Sequence, residues 1–154
     1  MLSLGVEYER FVGEAGTRLR VALTASYGPD VGADAASEAL AYGWEHWSRV
    51  SVMTNPAGYL FRVGQTAARR LTRRHGFLPA PAPGELPAFE PGLVPALETL
   101  SDAQRTCVLL VHAFAWTYVE TAETLGVDVS TVRTHVARGM TRLQAMLEVV
   151  PDAH

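Results

Sequence analysis

Arginine and threonine side chains recur along one side of a helix predicted at residues 56–74. Arg62, Thr66, Arg69 and Arg73 follow one another at spacings of 4, 3 and 4 residues, so they share one face, and apolar residues fall opposite. Guanidinium groups pair well with phosphate oxygens. No acidic residue occurs from position 56 to position 84 to neutralise them. We expect this face to bind a polyanion; a solvated face without a partner is the alternative.

A second candidate nucleic-acid feature surrounds Gly126. In the window that starts at Tyr118, Ala122, Gly126 and Val132 are the fifth, ninth and fifteenth residues, which is the spacing of a helix-turn-helix unit. Asp128 is a suitable N-cap for the second helix. A helical hairpin with no role in DNA binding is the alternative. The residues predicted to face the major groove are Ser130, Thr131, Arg133, Thr134 and Arg138.

A third helix, predicted at residues 34–47, has an acidic face. Three carboxylates and one alanine occupy this face: Asp34, Glu38, Ala41 and Glu45. An apolar seam is predicted on the other side, formed by Ala36, Leu40, Trp44 and Trp47. A solvated acidic face is the usual explanation of such a pattern, and small and acidic residues together also suit docking onto a basic protein surface.

The sequence contains no arrangement typical of an enzyme. The five histidines form no H-x-x-x-H pair, the only cysteine lies in an apolar run, and no glycine-rich phosphate loop occurs. We therefore predict no catalytic residue, metal or cofactor. The chain has a net charge of −3, no apolar run of 18 residues and no signal-peptide pattern, so a cytoplasmic protein with no membrane partner is expected.

The elements that position these residues are all helices. Six prolines between residues 76 and 95 predict an extended linker, because proline lacks the N–H group that helices and sheets require. The predicted fold is all-α, with two small helical domains at residues 1–75 and 96–154. Helices are expected at 7–27, 34–47 and 56–74, then at 96–100, from 101 or 102 to 115, and on both sides of Gly126.

Several motifs together resemble bacterial RNA polymerase sigma factors of the extracytoplasmic-function group. Residues 96–105, ALETLSDAQR, are similar to the family's A-L-x-x-L-P-x-x-Q-R, and residues 118–127, YVETAETLGV, to its Y-x-E-I-A-E-x-L-G-I. Residues 32–44, GADAASEALAYGW, and 55–63, NPAGYLFRV, resemble its second conserved region. The resemblance is most specific from residue 96 to residue 147. The sequence departs from the family at Ser37, Gln65, Thr66, Thr121 and Thr124.

The resemblance implies a subunit that binds core RNA polymerase and directs it to promoter DNA. The acidic face would contact polymerase through Asp34, Glu38, Ala41 and Glu45. The basic helix would hold the minus-ten element through Arg62, Gln65, Thr66, Arg69 and Arg73, and the helix after Gly126 would read the minus-thirty-five element. An anti-sigma factor is a possible further partner.

Two other kinds of transcription regulator are alternatives to this function. One is a helix-turn-helix protein of the response-regulator type, because residues 131–136, TVRTHV, also resemble that family. The other is a degenerate sigma-like protein that binds protein partners or DNA without initiating transcription.

Overall fold

The computed structural model describes residues 3–75 and 92–149. Throughout these ranges the regular elements are helices, which confirms the predicted all-α class. Most of the predicted linker, residues 76–91, lies outside the described residues. The predicted linker also included residues 93–95. That prediction was wrong, because these residues form the first turn of a helix.

The N-terminal domain contains three long helices and one short one. α1 (Leu4–Tyr27) begins after Ser3, whose hydroxyl accepts a hydrogen bond from the Val6 amide, so it starts three residues before the predicted position. α2 (Pro29–Glu45) follows at once, because Gly28 turns the chain at a φ of 89° and Pro29 suits a first helical turn. α3 (Trp47–Val50) is a single turn. α4 (Pro56–His75) agrees with the predicted helix.

Close backbone contacts hold these helices together. A Cβ atom on Gly32 of α2 would lie 2.6 Å from the backbone nitrogen of Thr24 in α1. A Cβ atom on Gly64 of α4 would lie 2.6 Å from a methyl group of Leu23. The buried side of α2 is therefore made of small residues, chiefly Val31, Gly32, Ala35, Ala36, Ala39 and Gly43.

The predicted apolar seam of α2 was wrong at its C-terminal end. Trp44 is 58% exposed, and Trp47 lies beyond the end of α2 in α3, where it packs on Tyr8 and Phe11. The physical reason is space. α2 lies too close to α1 and α4 to admit an indole, so Ala39 and Gly43 fill the interface instead.

In the C-terminal domain, residues 92–149 form four helices and a π-helical turn. α5 (Leu93–Glu98) begins three residues before the predicted position. α6 (Asp102–Val108) begins with a capping box, in which the Ser101 hydroxyl accepts from the Gln104 amide and the Gln104 side chain accepts from the Ser101 amide.

The predicted helix to residue 115 is not a continuous α-helix. After Val108 the chain forms a π-helical turn, Leu109–Ala113, and Ala115 has a φ of 57°. α7 (Tyr118–Leu125) and α8 (Val129–Val149) follow, with the Thr117 hydroxyl accepting a hydrogen bond from the Glu120 amide at the start of α7.

Replacing Gly32 by alanine should destabilise the protein. Alanine normally favours a helix by about 1 kcal/mol over glycine, but here its methyl group would press on the α1 backbone, and such overpacking costs about 1–3 kcal/mol. Urea unfolding should show a net loss for Gly32→Ala. The matched control is Gly13→Ala in α1, where a Cβ would meet nothing within 4 Å. A Gly32→Ala variant as stable as Gly13→Ala would contradict this packing.

Candidate nucleic-acid interface

The break at Gly126 is a tight turn between two helices, as predicted. Gly126 has φ 70° and ψ 37°, and its amide and that of Val127 both donate to the Ala122 carbonyl, at 2.9 and 3.1 Å. α8 begins directly after Asp128. Val132 is fully buried in the angle between the helices. The buried Ala122, the left-handed turn at Gly126 and the buried Val132 therefore agree with the predicted helix-turn-helix unit.

Most of the predicted recognition residues lie on the exposed side of α8. Ser130, Arg133, Thr134 and Arg138 are exposed, whereas Thr131 is half-buried. The Arg133 guanidinium lies 5.7 Å from the centre of the Tyr118 ring, a cation–π distance. This contact restrains Arg133 at the N-terminal end of α8. Sequence reasoning did not identify Tyr118 in this role, although its position at the start of α7 was visible.

The basic face of α4 is divided between two environments. Thr66, Arg69 and Arg73 are exposed, and so is Arg62. The Arg62 guanidinium, however, donates to the Gly126 carbonyl at 3.4 Å, so its end lies against the C-terminal domain. Gln65 is half-buried beside a cavity of about 90 Å³ between the domains, which is also lined by Phe61, Cys107, Leu125, Val127 and His135.

Two further arginines of α4 have protein neighbours. Arg70 forms an exposed ion pair with Glu38 of α2. Arg70 therefore has an acidic partner although no acidic residue lies near it in the sequence. Arg69 lies near Tyr27, at the end of α1. Burial raises the pKa of the Tyr27 hydroxyl, the Asp102 carboxylate raises it further, and the Arg69 guanidinium opposes both effects. An exposed pair such as Arg70 and Glu38 contributes little to stability.

The acidic face of α2 is open to solvent. Its four predicted members, Asp34, Glu38, Ala41 and Glu45, are all exposed. Trp44 lies on the edge of this face, with its ring 5.6 Å from that of Tyr8. Tryptophan is enriched in protein–protein interfaces, so the exposed Trp44 makes this face a candidate protein-binding surface. The sequence analysis missed Trp44 as a surface residue because it placed this side chain in the apolar seam.

An aromatic cluster connects α2, α3 and α4. The Tyr42 and His46 rings stack at 4.2 Å, the Tyr42 and Tyr59 hydroxyls lie 3.3 Å apart, and Arg49 donates to the Tyr42 hydroxyl. The hydrogen bond with Tyr42 raises the pKa of Tyr59. Beside the cluster, an open groove of about 440 Å³ runs between α2 and α4, lined by Glu38, Tyr42, Val63, Thr66, Ala67 and Arg70. None of the aromatic residues was singled out from the sequence.

Comparisons with known proteins agree with this geometry. Residues 93–143 match the family described as Sigma-70, region 4. The match covers most of the C-terminal domain. No curated protein matches the chain.

Two solved structures share its fold along most of the length. The sigma factor RpoE from Bartonella quintana, solved in complex with the anti-sigma factor NepR, has 22% identity and a TM-score of 0.63, over 94% of this chain and 98% of that one. CnrH, solved in complex with the cytosolic domain of CnrY, has 19% identity and a TM-score of 0.55, over 92% and 87%. At these identities the likeness concerns the fold.

The family match supports the predicted resemblance over residues 93–143, and the two solved structures share the all-α fold along most of the chain. Within residues 3–75 and 92–149, no helix is long and apolar enough to cross a bilayer, and no group of three metal-ligating side chains occurs.

Cys107 should be chemically inert in the folded protein. Burial raises the pKa of its thiol from 9.0 to about 12, so the reactive thiolate should be about 1000-fold scarcer than in the unfolded chain at pH 8. The same shift stabilises the fold fully below pH 9, and this contribution should be lost as the pH rises from 9 towards 12. Maleimide labelling with and without urea measures the protection. Equal labelling rates in both conditions would contradict this burial.

Proposed function

We propose that this protein binds core RNA polymerase and directs it to promoter DNA for transcription initiation. The observation that carries the proposal is the exposed recognition face of α8 within a region 4 domain, on the same chain as a basic α4 and an acidic α2. A chain with these three surfaces can contact a polymerase and two stretches of DNA.

The proposed polymerase contact is the open face of α2. This face carries three carboxylates, those of Asp34, Glu38 and Glu45. The small side chain of Ala41 allows a partner to approach closely, and Trp44 adds an apolar anchor beside them. Charged rims steer association, whereas buried aromatic anchors supply most of the binding free energy. Trp44 extends the contact that was predicted from the sequence.

The proposed DNA contacts lie on α4 and α8. On α4 they are Arg62, Gln65, Thr66, Arg69 and Arg73, and on α8 they are Ser130, Thr131, Arg133, Thr134 and Arg138. Arg133, near the N-terminal end of α8, suits a guanine edge in the major groove, where a bidentate contact discriminates by about 1–3 kcal/mol. Arg138 lies further along the helix and suits phosphate.

An anti-sigma factor is a proposed regulatory partner. The sigma factor RpoE, which shares this fold, was solved with the anti-sigma factor NepR.

Of the alternative functions, a response regulator is not supported, because residues 3–75 form only helices and not the alternating strands and helices of a receiver domain. A degenerate sigma-like regulator remains the second candidate, supported by the Arg62 contact with Gly126, which occupies a proposed DNA-binding group.

Reversing the charge of Asp34 and Glu38 should abolish co-purification with core RNA polymerase. The double variant Asp34→Arg, Glu38→Arg replaces attraction to a basic surface by repulsion, and both side chains are exposed, so helix content should not change. The matched control is Glu9→Arg, Glu14→Arg, which makes the same charge change on the exposed side of α1. Co-purification that survives in the first variant, or fails in both, would contradict an α2 contact.

Arg133 and Arg138 should differ in what they contribute to DNA binding. With DNA selected from a random pool by the assembled holoenzyme, Arg133→Ala should relax preference at one base pair, whereas Arg138→Ala should weaken all sequences and reduce the salt slope by about 1. Binding titrations over a range of salt concentrations measure both effects. Equal losses on every sequence for the two variants would exclude base recognition by Arg133.

A further inference from the structure

One contact joins the start of α7 to the candidate recognition residues of α8. The Arg133 guanidinium lies 5.7 Å from the centre of the Tyr118 ring. Tyr118 is the first residue of α7, and Arg133 lies in the second turn of α8. The contact therefore spans the turn at Gly126 and links the two helices of the helix-turn-helix unit.

The Tyr118 ring is held in place by its own helix and by the core. Tyr118 is half-buried and packs against the hydrophobic core. The residue before it caps α7, because the Thr117 hydroxyl accepts from the Glu120 amide and the Thr117 carbonyl accepts from the Thr121 amide, both at 3.0 Å. The Thr121 side chain is fully buried. The ring therefore presents a fixed surface to Arg133.

The turn between the helices fixes the place of Arg133. The Gly126 and Val127 amides both donate to the Ala122 carbonyl, which sets the direction in which α8 leaves α7. Val132, the neighbour of Arg133, is fully buried, whereas Arg133 is exposed. α8 cannot rotate about its axis without exposing Val132, so the backbone of Arg133 has a defined position relative to the ring.

An aromatic ring restrains a guanidinium without occupying its N–H groups. A carboxylate partner occupies such donors, as that of Glu38 does for Arg70. Within residues 3–75 and 92–149, the Arg133 guanidinium forms no ion pair or hydrogen bond, and its close neighbour is the Tyr118 ring. Its five donors are therefore free to meet a base edge while the side chain is held in place.

We propose that Tyr118 is a positioning residue for base recognition by Arg133. The ring orders the Arg133 side chain before DNA binds, so less conformational entropy is lost when the guanidinium meets a base. Base readout depends on this order more than phosphate contact does, because a bidentate pair requires two N–H groups aligned with two acceptors. This inference rests on the proposed promoter binding and adds a residue that increases its sequence preference.

Relaxation of the arginine side-chain nitrogens by NMR tests the restraint without any assumption about function. In the full-length chain without DNA, the Nε–H bond of Arg133 should be more ordered than that of Arg138. Tyr118→Leu removes the ring and should make Arg133 as mobile as Arg138. Tyr118→Phe keeps the ring and should leave Arg133 ordered. An Arg133 side chain that is already as mobile as Arg138 in the wild type would overturn the positioning role.

Selection of DNA from a random pool by the assembled holoenzyme tests the effect on sequence preference. Tyr118→Leu should reduce the preference about two- to fivefold at the base pair that Arg133→Ala affects, since an exposed cation–π contact changes an equilibrium by about this factor. Preference at other positions should not change, and Tyr118→Phe should behave as the wild type. The double variant Tyr118→Leu, Arg133→Ala should be as selective as Arg133→Ala alone, because both act through one contact.

Phe114→Leu is the matched control for lost packing. Phe114 is another half-buried ring of the C-terminal domain, so its removal should lower stability in a similar way without changing the sequence preference. Urea unfolding compares the stability of the two leucine variants. A preference that falls equally in Phe114→Leu and Tyr118→Leu would reduce Tyr118 to a packing residue. An equal loss in Tyr118→Phe and Tyr118→Leu would show that the hydroxyl acts rather than the ring, which also overturns the positioning role.

The remaining outcomes separate this inference from the proposed function. If Arg133→Ala relaxes the preference and Tyr118→Leu does not, base recognition by Arg133 stands and the role of Tyr118 fails. If the wild-type holoenzyme selects no sequence, the proposed promoter recognition fails and the positioning role fails with it, even where NMR shows that the ring restrains Arg133.

Discussion

Close approach between helix backbones is the constraint on which this structure depends. At Gly32 a single added carbon atom would overlap the backbone of α1, and at Gly58 it would overlap the backbone of the Gly126 turn. Such contacts exclude water and bring many atoms into dispersion contact, but they tolerate no side chain. The residues that line the contacts must therefore be small, and large apolar side chains such as Trp44 are displaced to the surface.

This constraint also shapes the electrostatics. Because α2 and α4 pack through small residues, their long polar side chains are left at the edges of the contact, where Glu38 meets Arg70. Between the domains, Gly58 admits the Gly126 turn, and that approach brings the Arg62 guanidinium to a backbone carbonyl. A basic helix that looks uniform in sequence thus has one side directed to the other domain and one side directed to an open groove.

The sequence predicted the fold class and the helix-turn-helix unit well, because these depend on local signals. Local signals mark one end of each of four helices: Gly28 follows α1, Pro56 begins α4, Ser101 caps α6 and Gly126 follows α7. It failed at Trp44 because helical periodicity locates an apolar face without stating how close the neighbouring helix lies. The partners of Arg62 and Arg70 are 64 and 32 residues distant along the chain, so no local pattern could predict them. In the aromatic cluster, the contact between Tyr42 and Tyr59 spans 17 residues and is nonlocal for the same reason.

The π-helical turn at Leu109–Ala113 fixes an angular offset within the C-terminal domain. A π turn holds one residue more than an α turn, so it rotates the chain that follows by roughly 100° relative to an uninterrupted α-helix. The Phe114 and Trp116 amides return to the Leu109 and Leu110 carbonyls, which ends the helix in a defined direction before α7 begins. A one-residue deletion here would still leave a helix, but it would change the phase of every side chain from the turn to Thr117. The orientation of α8 relative to α6 thus depends on the number of residues in this segment as much as on their types.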